Sequence, residues 1–186
     1  MKKKCSKLTL RMFGWKITNQ VPVDNIKKGI IIMAPHTSNL DFVIGKLAFY
    51  MLNIKAHFLI KKELFVFPLG KLLKSLGGVP VNRSRGQGTM NKVVEMMNQE
   101  KDFLLVITPE GSRSYRKYWK KGFYHIALKT NTPIILSYID YKKKEGGLHS
   151  YFYPSGDMQK DFEKIMAIYQ NTTAKFPDKF CKSPKI

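Results

Sequence analysis

The chain has 186 residues, and 33 Lys and Arg against 13 Asp and Glu leave a net charge of +20. That length suits a single domain, and 44% apolar with 12% aromatic residues excludes wholesale disorder. The charge surplus bears on partners rather than fold: it points to nucleic acid, an anionic membrane surface or a phosphorylated substrate.

The N-terminus, MKKKCSKLTLRMFGWKI, opens like the basic region of a signal peptide, but Lys7 and Arg11 interrupt any apolar core and no small-residue cleavage site follows. The segment is therefore read as retained, in a cytoplasmic protein. Leu10, Phe13 and Ile17 form one helical stripe and Leu8, Met12 and Trp15 another, with Lys4, Lys7 and Arg11 between them. Such faces suit a helix lying in a lipid headgroup layer. Residues 1–17 are thus expected as an interfacial basic amphipathic helix and 18–186 as one domain. The alternative is that the helix packs onto the sheet. No run of about 18 uncharged apolar residues exists, so no bilayer-spanning helix is expected.

Beyond it, short β-branched runs predict buried strands at Gly29 to Ala34, Phe58 to Ile60, Phe103 to Ile107 and Ile134 to Ile139. Val79-Pro80-Val81 predicts a shorter strand, confined by its proline to an edge or a strand start. Leu64 to Leu73, with Lys71 and Lys74, is a second candidate membrane contact. Helical stripes lie between the strands. Met90, Val93, Val94 and Met97 form one, with Thr89 as a candidate N-cap; Phe123, Ile126 and Ala127 form another. A third, Phe162, Ile165, Met166 and Tyr169, starts near Asp157. The alternation predicts an α/β fold: a mostly parallel central sheet flanked by helices. The polar tail from Lys175 to Ile186 is expected to fray.

The segment most informative about chemistry is Pro35-His36-Thr37-Ser38-Asn39-Leu40-Asp41-Phe42. It follows the first confident strand, and ligands collect at the carboxyl ends of strands in open α/β sheets. Residues five apart on a helix lie about 140° apart, so His36 and Asp41 meet only if His36 precedes the helix. Thr37, Ser38 and Asn39 are favoured N-cap types and let the helix begin there. A carboxylate on one ring nitrogen would fix the tautomer and leave the other nitrogen as a base. A plain capping loop beside a satisfied histidine explains this segment equally well on its own. His57, His125 and His149 fall in a strand pattern, a helix and near a Gly-Gly pair, and are read as packed or exposed. Cys5 and Cys181 offer neither a disulfide framework nor a metal pair. No metal and no cofactor are expected.

Three further segments follow in order: Gly77-Gly78-Val79-Pro80-Val81-Asn82-Arg83, Pro109-Glu110-Gly111-Ser112-Arg113-Ser114, and Thr132-Pro133-Ile134-Ile135. With His36-x4-Asp41 first, the four resemble the blocks of the glycerolipid acyltransferases, most nearly the 1-acylglycerol-3-phosphate acyltransferases of bacterial phospholipid synthesis. Lys62-Glu63-Leu64 with Pro68 and Gly70 is similar to the stretch between the first two blocks. Ser112 stands where the family usually has Thr, and Asn82 where Asp is common.

The resemblance implies transfer of an acyl group from a thioester, acyl-coenzyme A or acyl carrier protein, to the hydroxyl of a lysophospholipid. His36 and Asp41 would be the catalytic residues. Arg83, Glu110, Gly111, Ser112 and Arg113 would bind substrate, with Lys121 as a further candidate. Guanidinium forks suit phosphate, and Glu110 would position acceptor hydroxyls or pair with a neighbouring Arg. The reaction would occur peripherally on the inner face of the cell membrane. A different hydroxyl-bearing amphiphile is the alternative acceptor. Nucleic-acid binding, suggested by charge and by Tyr115 to Lys121, comes without any recognised nucleic-acid-binding motif, so no nucleic acid is expected.

Overall fold

The computed structural model describes residues 1–82 and 86–185. Helix α1 spans Lys2–Met12 and strand β1 Lys16–Asn19. Then follow β2 (Lys28–Ala34), α2 (Asn39–Met51), β3 (Ala56–Lys61), α3 (Leu69–Ser75), β4 (Gly78–Val81) and α4 (Gly86–Gln99). The rest is β5 (Phe103–Ile107), α5 (Gly122–Thr130), β6 (Ile134–Asp140), β7 (Glu145–Phe152) and α6 (Met158–Tyr169).

The seven strands form one sheet in the order β1-β7-β6-β2-β5-β3-β4. From β6 through β4 the strands are parallel; β7 runs antiparallel to β6, and β1 pairs parallel with β7. The fold is therefore α/β with a mostly parallel sheet, as expected. Pro80 sits in β4, an edge strand, where a missing N–H costs least.

Strand β2 shows why its run is apolar throughout. Ile30, Ile32 and Ala34 face one core with Val93 and Met97 of α4, Ala127 of α5 and Ile165 of α6. Ile31 and Met33 face the other core with Ile44 and Phe49 of α2 and Leu10 of α1. A strand covered on both faces needs apolar side chains at every position.

Three sequence expectations change. Helix α1 stops at Met12, and Ile17 belongs to β1, so the predicted helical stripe does not extend to it. Thr89 lies inside α4 rather than capping it, and its hydroxyl donates to Asn82 O at 2.6 Å. The C-terminal tail docks instead of fraying. Phe180 is buried, and the Trp119 backbone N–H donates to Lys185 O at 2.9 Å while the Lys185 backbone N–H donates to Lys117 O at 2.8 Å. A polar segment can still dock when it places one aromatic in the core and its backbone in hydrogen bonds.

Helix α1 buries Ser6 and Leu10 and packs against α2. It leaves Leu8, Met12 and Phe13 exposed. No helix among the described residues is long and apolar enough to cross a membrane.

Candidate active site

Because β2, β5 and β6 run parallel, the loops after them emerge at one edge of the sheet. The loop after β2 carries His36, and Ser38 ends it as the N-cap of α2. Ser38 has an extended backbone, and its hydroxyl accepts from the Leu40 N–H at 3.2 Å. Asp41 stands at the third helical position and returns its carboxylate to the Ser38 N–H at 2.8 Å, completing a capping box.

That carboxylate does more than cap. Asp41 is 0% exposed. Its Oδ2 also accepts from the Thr37 N–H at 2.8 Å and lies 3.2 Å from His36 Nδ1. The imidazole approach falls short of an aligned hydrogen bond. Oδ1 accepts from the Tyr141 hydroxyl at 2.6 Å. Burial pushes the Asp41 carboxyl up, but contact with His36 and hydrogen bonds from Tyr141 and the Ser38 N–H outweigh it. The carboxyl therefore sits below its ordinary value and stays ionised. One side chain thus caps the helix and lies against the imidazole.

Glu110, in the loop after β5, is 6% exposed, and both its oxygens accept from the His36 backbone N–H, at 3.1 and 3.0 Å. No ion pair joins it to a neighbouring arginine among the described residues. Burial pushes its carboxyl up to about 8; the His36 N–H partly offsets this, and the Asp41 charge adds to it. Gly111 follows at φ +65°, with the Lys120 stem folded over it. Ser112 turns its hydroxyl to the Ser114 N–H at 3.1 Å. Arg113 is exposed and makes no hydrogen bond or ion pair among the described residues. Lys121 is exposed at the start of α5. Arg83 lies outside the described residues.

The structure thus brings His36, Asp41 and Glu110 into direct contact and puts Gly111, Ser112 and Arg113 on the same loop as Glu110. It adds two residues that sequence reasoning missed. One is Tyr141, just past β6; the other is Phe176, whose N–H donates to Thr37 Oγ1 at 3.2 Å. Of the backbone N–H groups leading into α2, those of Thr37 and Ser38 are taken up by Asp41. The Asn39 N–H remains unengaged among the described residues. Of the other histidines, His57 stacks on Phe103 with ring centroids 4.2 Å apart, and His125 and His149 are exposed.

A buried carboxylate thus lies against a loop histidine at the carboxyl edge of a parallel sheet. The acyltransferase family model matches residues 15–140, and the chain belongs to that family. A 1-acyl-sn-glycerol-3-phosphate acyltransferase of Cocos nucifera is 28% identical over 137 residues, which cover 69% of this chain and 44% of that protein. A 1-acyl-sn-glycerol-3-phosphate acyltransferase of Limnanthes douglasii is 30% identical over 120 residues, covering 60% of this chain and 41% of that one. The matched stretch thus spans less than half the length of these curated relatives. Among solved structures, PlsC from Thermotoga maritima, the 1-acyl-sn-glycerophosphate (LPA) acyltransferase, matches with a TM-score of 0.61 at 19% identity. That match covers 90% of this chain and 74% of PlsC, and it shows a shared fold.

Proposed function

We propose that the protein is an O-acyltransferase that moves a fatty acyl group from a thioester to the hydroxyl of a lysophospholipid such as 1-acylglycerol 3-phosphate, at a membrane surface. The observation that carries this reading is the buried Asp41 carboxylate 3.2 Å from His36 Nδ1. With Nδ1 turned to Asp41, Nε2 is left for the acceptor, and the His36 side chain is 18% exposed. As general base it takes the hydroxyl proton while the acceptor oxygen attacks the thioester carbonyl carbon. The tetrahedral oxyanion that forms needs a donor, and the Asn39 N–H, unengaged among the described residues, is the one assigned to it. Collapse expels the thiolate, which takes the proton back from the imidazolium.

Arg113 and Arg83 are assigned to the acceptor's phosphate, with Lys121 as an outer contact. Arg113 is an unengaged guanidinium on the Glu110 loop, and such forks suit phosphate bidentately. Holding a remote phosphate spends binding energy on orientation of the hydroxyl. The donor is acyl-coenzyme A or acyl carrier protein, and the basic surface suits the anionic character of both.

Membrane contact is supported by exposed apolar side chains set among cations. Leu8, Met12 and Phe13 project from α1, Leu40 and Val43 from α2, and Leu64, Val66, Phe67, Leu69 and Leu72 from the α3 region. These elements adjoin: α1 packs on α2, and Lys46 of α2 donates to Leu76 O at the end of α3, at 2.7 Å. Phe67 is 81% exposed with Lys71 over its ring.

The test incubates purified protein with each thioester and a panel of acceptors and follows acylated products by mass spectrometry. Transfer to 1-acylglycerol 3-phosphate above the matching phosphate-free acylglycerol supports the assignment. Arg113→Ala should then raise KM for the phosphate-bearing acceptor only. Transfer indifferent to the phosphate would move the reading to another hydroxyl-bearing amphiphile.

A further inference from the structure

Tyr141 lies just after β6, beyond the segment that the family model matches. Among the described residues it is the side chain outside 36–41 that hydrogen-bonds Asp41. The two carboxylate oxygens are treated unequally. Oδ2 meets the Thr37 N–H, the Ser38 N–H and His36 Nδ1, whereas Oδ1, among the described residues, receives the Tyr141 hydroxyl alone, at 2.6 Å. The carboxylate is out of bulk solvent, so the Tyr141 hydroxyl counts heavily in satisfying Oδ1. A short O–H bond to an ionised oxygen is the strong, directional kind.

Tyr141 is itself held on two further sides. Its N–H donates to Thr173 O at 2.9 Å. Its ring meets Trp15 edge-on, with centroids 5.2 Å apart and planes at 90°. The Trp15 N–H in turn donates to Leu10 O at 2.8 Å, which fixes Trp15 to the end of α1. The ionisable groups facing Asp41 are His36, Tyr141 and, from the loop after β5, Glu110. Burial and the Asp41 charge push the Tyr141 phenol up, so it remains a donor at working pH.

We propose that Tyr141 is a positioning residue for the His36–Asp41 pair, holding the oxygen that does not face the imidazole and tying it through Trp15 to the N-terminal helix. This rests on the reading of His36 as the base. Without the hydroxyl, a buried Oδ1 is left unsatisfied, and the carboxylate rotates or takes a proton. Either event loosens its hold on the imidazole.

Tyr141→Phe keeps the ring and its contact with Trp15 and deletes the hydroxyl. Two measurements read it. In protein labelled with 13C at aspartate carboxyls, with the Asp41 signal identified by its loss in Asp41→Asn, the Asp41 titration should move to higher pH than in wild type. With the acyl-transfer assay, kcat should fall about ten-fold while KM for donor and acceptor stays within about two-fold. A purely structural tyrosine would lower the melting temperature and move neither the Asp41 titration nor the kcat-to-KM split. An unmoved Asp41 titration overturns the proposal, and so does unchanged kcat in folded Tyr141→Phe. A wild-type protein inactive on every acceptor, or His36→Ala at wild-type rates, overturns the acyl-transfer reading instead. The carboxyl titration, which needs no substrate, then still decides the Tyr141 contact.

Discussion

The Phe176 N–H donates to Thr37 Oγ1 at 3.2 Å, joining two residues 139 apart in sequence. Thr37 is buried directly beside His36, so the C-terminal segment braces the loop that carries the candidate base. Phe180, four residues on, is buried in the core formed with Trp119, Phe162 and Tyr169. Phe180→Ala should cost about 3–5 kcal/mol of stability. Thermal unfolding measures this, and loss of activity should accompany it before global unfolding because the His36 loop loses its support.

His36→Ala should reduce thioester-dependent transfer by about 10²–10⁴-fold in a folded protein. Asp41→Asn should lose less activity, since it misorients the base without deleting it. Steady-state rates with circular-dichroism controls check both. Wild-type turnover in His36→Ala would remove the mechanism.

Glu110 links stability to pH with a definite sign. Its carboxyl holds a proton in the fold up to about 8, whereas the unfolded carboxyl ionises near its ordinary value of 4.5. Between those values the folded chain binds the extra proton, so this contribution to stability is lost as pH rises. Above about 8 the ionised Glu110 lies buried near ionised Asp41. Glu110→Gln should therefore flatten the decline and become more stable than wild type at about pH 9, as denaturant unfolding across pH would read. Equal slopes in the two proteins would refute this account.

Gly111 is the position on the candidate substrate loop least tolerant of a side chain. Its φ of +65° disfavours any Cβ, and a Cβ there would press on the Lys120 stem at 2.6 Å. Gly111→Ala should cost about 1–2 kcal/mol and lower transfer by shifting the Arg113 loop. Chemical unfolding and KM for the acceptor report the two effects separately.

On anionic liposomes, Phe67→Ser and the triple change Leu8→Ser, Met12→Ser, Phe13→Ser should each weaken flotation without unfolding the protein, because all four side chains are exposed. Salt should weaken binding of wild type and variants alike, by screening the lysines. Unaltered flotation in both variants would leave this apolar surface without a lipid role.

Much of the central fold was legible because its information is local. Ile30 to Ala34 and Phe103 to Ile107 read as buried strands from composition alone, and both are. Strand β7 was missed because Gly146-Gly147 reads as a turn. The pair is there for a long-range reason: Gly147 has φ +147°, and a Cβ on it would overlap Thr18 O of β1. Likewise the His36–Asp41 contact was legible from helix periodicity and cap chemistry within six residues. Tyr141 and Phe176 were not, since each reaches the site through tertiary packing that no local pattern encodes. Glu110 was marked by its segment, but its contact with a backbone N–H was not foreseeable from residue type.

Asp41 closes the first turn of α2 and faces the imidazole with the same oxygen. If His36 is the base, as proposed, its reactivity is therefore tied to the formation of that turn. A nascent or partly melted chain carries His36 as an ordinary solvated imidazole, with no carboxylate behind it. On the proposed reading, the histidine is oriented only once that helix start has formed. For an engineer the consequence runs the other way: transplanting the histidine and aspartate to a new scaffold would fail unless the helix start travels with them.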